Sequence, residues 1–208
     1  MADEWQAARG GVFPVLLPPG TQGEAAERFH DWAREGIQSH AQPLVTEGPC
    51  GLVIGFTLEG SGFEVLVNAE HLHSWGIAAE DLAAAAGENL AAWSSAAPWT
   101  EEISGTRRLI SSETGERHDA ARILLPEIRA HLSASLAKDA PAGTRVLVGL
   151  PDRDLLVAGA MLPDDVEFAA LLHDFVIEHS AAGDQPIDRR LFELAGGRLV
   201  EFGTPPEG

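Results

Sequence analysis

The sequence predicts an α+β fold, an antiparallel sheet built from hairpins and covered by helices. Three observations carry that prediction. Short β-branched and aromatic runs come in pairs around turn residues, as in "GLVIGFTLEG" and "GFEVLVN" across 51–68. Longer segments follow in which apolar residues recur at helical spacing. The order hairpin then helix occurs at 51–94 and again at 145–181, with slight residue identity between the halves, so the topology repeats while the sequence does not. The whole reads as a single domain of two lobes, about 1–104 and 105–201, with 202–208 as a disordered tail.

The elements follow in order. "VFPVLLPPG" (12–20) is an apolar run ended by two prolines, an edge strand or extended arm. "GEAAERFHDWAREGIQSH" (23–40) reads as a helix with Ala25, Phe29, Trp32, Ala33 and Ile37 on one side. The hairpin at 51–68 turns on "EGSG", and its second strand sets Phe63, Val65 and Val67 on the apolar face. In "VNAEHLHSWGI" the pair His71 and His73 raises the question of a metal site. On a strand the two would share a face. Asn68 as an N-cap, Glu70 in a first turn and Gly76 as a stop predict a short helix instead, with Leu72 and Trp75 buried. Residues two apart on a helix point about 200° from one another, so the pair cannot grip one ion.

"AAEDLAAAAGENLAAW" (78–93) is a longer helix with Leu82, Ala86, Leu90 and Trp93 inward. Asn89 lies near that stripe, a buried polar position that needs a partner, read as holding a neighbouring loop or strand edge in preference to contacting a ligand. "TRRLISS" (106–112) is a strand and "GERHD" (115–119) a turn. "DAARILLPEIRAHLSASL" (119–136) is helical apart from Pro126. Either the helix kinks there, or a turn at 119–124 ends and a new helix begins with Pro at its first position. "TRVLVGLPDRDLLVAGAM" (144–161) is a second hairpin. "PDDVEFAALLHDFVIEHS" (163–180) is so apolar that it reads as the most buried helix, with His173 partly buried on it. "RRLFELAGGRLVEF" (189–202) closes as a hairpin on Gly-Gly.

Charge narrows the functional classes. Lys and Arg number 14 against 32 Asp and Glu, a formal net charge of −18. Such a surface repels nucleic-acid phosphates and anionic lipids; it reads either as a solubilising surface in an acidic proteome or as one that attracts basic proteins. The one cysteine, Cys50, excludes an intramolecular disulfide and fits a reducing compartment. The start "MADEWQAARGG" has neither a basic nor an apolar signal segment, and no stretch approaches the ~20 apolar residues of a membrane span. A cytoplasmic protein is expected.

No phosphate-binding loop, dinucleotide fingerprint, zinc motif or nucleophile elbow is present, so no cofactor and no metal is expected. The segment with most character is "LPDRDLL" (150–156), where Asp152, Arg153 and Asp154 form a hairpin tip. The tip reads either as a solvent-exposed turn with a weak ion pair or as a recognition loop on rigid strands.

"WGIAAEDLAAAAGENL", "HDAARILLP" and "VGLPDRDLLVA" resemble segments of the YtpQ-like bacterial family, uncharacterised cytoplasmic proteins, over roughly 44–202. Ala78 departs from the resemblance, standing where a Ser cap is expected. The resemblance implies a fold unit and gives no catalytic residues. The charge and the missing catalytic motifs leave three functions as expectations. One is a non-enzymatic binding or regulatory module, in an immunity-like form covering a basic protein partner. Another is a hydrolase-type enzyme with a site assembled between the two lobes. The third is a purely structural subunit, which would show a large exposed apolar patch or an obligate oligomer.

Overall fold

The computed structural model describes residues 2–26 and 42–203. The fold is α+β with two mostly antiparallel sheets. The chain divides into two compact units, residues 1–96 and 97–208.

In the first unit α1 (Ala2–Ala8) leads to β1 (Val12–Leu17), β2 (Glu24–Ala25), β3 (Leu44–Glu47), β4 (Val53–Gly60) and β5 (Phe63–Leu66). The helices α2 (Ala69–Trp75) and α3 (Ala79–Ala96) follow. Strand order is β1-β4-β3-β2, with β5 also on β4, and only β2–β3 is parallel among the described pairs. β1 is the edge strand expected of its proline, since Pro14 has no N–H to give a second neighbour. The helix expected over 23–40 falls largely on 27–41, outside the described residues. Its described start is not helical, because Glu24 and Ala25 pair with Leu44 and Val45. The core joins Trp5, Leu44, Phe56, Leu72, Trp75 and Leu82.

The short helix at 69–75 forms as its caps require. Asn68 Oδ1 accepts the His71 N–H at 3.2 Å, the His71 ring lies 3.2 Å from the Asn68 N, and Gly76 closes the helix at φ +69°. Leu72 and Trp75 are buried. Ala78 lacks a capping hydroxyl, yet Asp81 Oδ2 accepts its N–H at 3.1 Å. The apolar face expected on β5 is not buried: Phe63 and Val65 are exposed and only Val67 is enclosed. Phe63 lies across its cross-strand partner Gly60, where a Cβ would come within 2.3 Å of the ring.

The second unit holds β6 (Thr100–Ser104), β7 (Arg107–Ser112), α4 (Pro126–Ala137), β8 (Arg145–Asp152), β9 (Leu155–Met161), α5 (Val166–Ala182), β10 (Leu191–Ala195) and β11 (Arg198–Glu201). Its sheet order is β11-β10-β8-β9-β7-β6. β8 and β9 are central and buried almost throughout, which explains their continuous apolar runs. α5 packs on one face of them. α4 packs on the other, where Arg108 donates to the carbonyls of Ser135 and Lys138. Pro126 opens α4 after a 3-10 turn at Ala120–Leu124, so of the two readings of that segment the second holds. Gly196 and Gly197 turn the last hairpin with φ of +57° and +76°. Phe202 is ordered, its N–H bonded to the Leu191 carbonyl at 3.0 Å and its ring beneath Arg145.

Candidate functional site

The site begins with two glycines. A Cβ at Gly149 would stand 2.3 Å from Val176 Cγ2, and one at Gly159 would stand 2.4 Å from Phe168 Cζ. Both glycines lie on central strands, so α5 seats directly on the backbone of β8 and β9. The line Phe168, Leu172, Val176 is buried there. α5 carries more apolar surface than this one stripe can hide. Val166 is 76% exposed, Leu171 48%, Ile177 38% and Phe175 36%. The expectation that this is the most buried helix is therefore wrong, and His173 is exposed with it. One helix resting on two strands buries one side of its cylinder, whatever its composition.

Beside α5 the sheet continues uncovered among the described residues. Strands lie ~4.8 Å apart and a helix is about 10 Å across, so α5 covers β8 and β9 and leaves the same face of β7 and β6 open. Between them is a cleft of about 360 Å³. Its floor is Leu109, Ser111 and Val157, and its wall is Phe168, Leu171, Leu172 and Phe175. Its outer lip is the β6–β7 hairpin, through Glu102, Ile103 and Ser104. The wall residues recur at i, i+3, i+4 and i+7, one flank of a helix.

Carboxylates rim this apolar cleft. At about 100° per residue, Glu167, Asp174 and Glu178 lie on the Leu171 side of α5, all exposed. Glu102 lies across from them. The cation Arg107 is already engaged: Nε donates to Asp165 Oδ2 and Nη2 to Oδ1, each at 2.7 Å, and Nη2 to Glu167 Oε2 at 3.0 Å. These bonds raise the Arg107 pKa and hold the Asp165 carboxyl below its usual range.

The tip residues at 152–154 sit elsewhere in this unit. Asp152 and Arg153 are buried, at 8% and 7% exposure. Asp152 Oδ2 accepts the Gln185 N–H at 2.7 Å and Oδ1 the Asp154 N–H at 3.0 Å. Arg153 Nη1 donates to Gln185 Oε1 at 2.5 Å, and Asp154 Oδ1 accepts the Arg117 N–H at 2.7 Å. The tip thus knits 117–120 to 183–188 and does not project as a solvent-exposed turn. In the first unit Asn89 is half-buried, and its amide donates to the carbonyls of Arg9 and Val12 at 2.7 and 2.8 Å. It ties α3 to the entry of β1. His71 and His73 fall on α2 and point apart, and no group of three metal-ligating side chains occurs among the described residues.

Sequence reasoning missed a buried polar node. Arg122, fully buried, donates from Nη1 to Ser112 Oγ at 2.6 Å and to the Pro98 carbonyl at 3.2 Å. Ser112 Oγ donates to Asp119 Oδ1, while Asp119 Oδ2 accepts both the N–H and the hydroxyl of Thr114. Burial pulls the Arg122 pKa down to about 10, against the attraction of Asp119. Ser112 and Asp119 are 1% and 0% exposed, so the node has no mouth for a substrate. Its one sequence signal was an Arg set inside "AARILL", where a chain with few cations placed one among apolar neighbours.

No protein-family model, curated protein or solved structure matches the chain. Among the described residues no helix is long and apolar enough to cross a membrane.

Proposed function

We propose that the protein is a non-enzymatic binding module that engages a basic protein partner, with the second unit's cleft as its docking surface. An immunity-like protein covering a basic partner is one form of this function. The observation that carries the reading is the pairing of chemistry in the cleft: an apolar floor and wall rimmed by carboxylates whose nearest cation, Arg107, is already bonded to Asp165 and Glu167. Apolar surface of this kind contributes affinity, and the acidic rim steers and selects. The charge of −18 extends the steering field over the whole molecule.

The test is affinity capture from the native host at low and high salt, followed by reconstitution with the purified captured protein. A basic protein whose association slows with salt, and whose affinity falls at least tenfold when Leu171 becomes Arg, supports the function. Binding indifferent to both salt and Leu171 contradicts it.

A further inference from the structure

We infer that the docking element of that partner is an amphipathic cationic α-helix, laid beside α5 on the open face of β7 and β6. The inference rests on the reading of the cleft as a protein-binding surface and names what it takes. α5 already shows how this sheet face receives a helix, with a Phe-Leu stripe set on two strands. The two strands beyond β9, β7 and β6, offer room about one helix wide, at ~4.8 Å per strand against about 10 Å. The wall of this second seat is the flank of α5 bearing Leu171 and Phe175, and its floor is Leu109. A helix entering there completes a layer the fold has half built.

Charge decides the rest of the chemistry. Glu102 lines the outer lip of the seat, and Glu167, Asp174 and Glu178 are exposed on α5 just outside its Leu171 wall, so Lys or Arg flanking an apolar stripe meets carboxylates toward both edges. A second copy of this chain would bring the same carboxylates to the same place, and like charges would oppose its docking. A single extended strand on the β6 edge would leave the floor at Leu109 and the wall at Leu171 uncovered. A helix with apolar residues at i, i+3, i+4 and i+7 covers both.

The probe is a Leu/Lys peptide of about 17 residues, matching α5 in length, with Leu at helical spacing. It is titrated into the full chain alongside a peptide of the same composition in scrambled order, and binding is read by calorimetry and by amide shifts. Two variants locate the contact. Leu171→Arg places a cation in the seat. Ile177→Arg makes the same change on the same helix, about 200° round from Phe175, away from the cleft.

The expected result is binding of the ordered peptide with shifts at Leu109, Leu171 and Phe175. Affinity then falls at least tenfold for the scrambled peptide and for Leu171→Arg, and is unchanged for Ile177→Arg. Equal binding of both peptides, or equal loss in both variants, overturns the helix while leaving a salt-sensitive acidic surface in place. Self-association abolished by Leu171→Arg would also overturn it, assigning the seat to a second copy. If neither peptide binds and polyarginine does not either, the inference and the basic-partner function fall together.

Discussion

The guanidinium of Arg122 lies over the ring of Trp99, its carbon 3.6 Å from the ring centroid. At its edge are Ser112 and the carbonyls of Ala97 and Pro98. Planarity lets one side chain stack on an aromatic face and still donate within its plane, which an ammonium cannot do. The pair fixes the start of the second unit, residues 97–99, against β7 and the 3-10 turn at 120–124.

Arg122→Leu removes the cation and leaves Asp119 buried with its charge uncompensated. A loss of about 3–5 kcal/mol is expected from breaking one side of a buried ionic network. Arg122→Lys should recover only part of it, because the stack and the in-plane donation are lost together. Urea denaturation followed by Trp fluorescence measures both. If either variant unfolds within ~1 kcal/mol of the parent, the node is not the clamp its geometry describes.

Asp152 and Asp154 flank one arginine yet should behave differently. Asp152 accepts two N–H groups from a nearly closed site, one of them across the chain from Gln185. Asp152→Ala should cost about 1.5–3 kcal/mol, the range for hydrogen bonds to a charged group. Asp154 is half-exposed and holds the N–H of Arg117, which takes a left-handed φ of +64°. Asp154→Ala should cost about 1 kcal/mol. The check is the ratio of the two losses. A reversed order would mean that Asp154, through the Arg117 N–H, anchors the tip more than Asp152 does.

His71 gives the first unit a pH dependence. Burial lowers its pKa below the ordinary 6.5, with the charge of Glu70 pulling the other way. The folded state therefore binds this proton less readily than the unfolded chain. The stabilising contribution is complete above about 6.5, the unfolded value, and is lost as pH falls from there through the folded value. In His71→Gln the residue keeps a side chain able to complete the capping box but does not titrate. The variant should show a flatter stability profile between pH 7 and pH 5 by denaturant melts at each pH. Parallel profiles for the two proteins would refute the assignment.

The sequence made legible those elements whose cause is local. Asn68 and Gly76 bound α2 because caps act within one turn, and Gly196-Gly197 turns a hairpin because only positive φ fits there. Pro126 left two readings open, and the packing chose between them. Non-local causes were not legible. β6 is exposed at every position and reads "TEEIS", so no apolar alternation announces a strand held only by its pairing with β7. The exposure of α5 could not be read from its composition, because burial depends on how many strands lie beneath a helix. The cleft escaped for the same reason: its floor and wall come from β7, β9 and α5, about 60 residues apart in the chain at Arg107 and Asp165. Arg122 was hidden because the groups that hold it, the Ser112 hydroxyl, the carbonyls of Ala97 and Pro98 and the Trp99 ring, come from distant parts of the chain and carry no charge to mark them.

Two glycines should respond in opposite directions to the same substitution. Gly87 lies within α3 with open space where a Cβ would stand. Gly87→Ala should stabilise the first unit by about 0.5–1 kcal/mol, because glycine loses more backbone freedom on entering a helix. Gly159 has no such space. A methyl there would meet Phe168 Cζ at 2.4 Å and Leu109 Cδ2 at 2.9 Å, so the ring must leave its seat or α5 must rise from the sheet. Gly159→Ala should cost about 1–3 kcal/mol, the range for overpacking a filled core. Leu109 and Phe168 both line the cleft, so the same methyl should weaken binding of the Leu/Lys helix as well as stability. Hydrogen exchange would show loss of protection along α5 first, with the first unit unaffected. Gly159→Ala at parental stability, with α5 protection intact, would mean that contact with bare backbone does not set the height of α5 above β9.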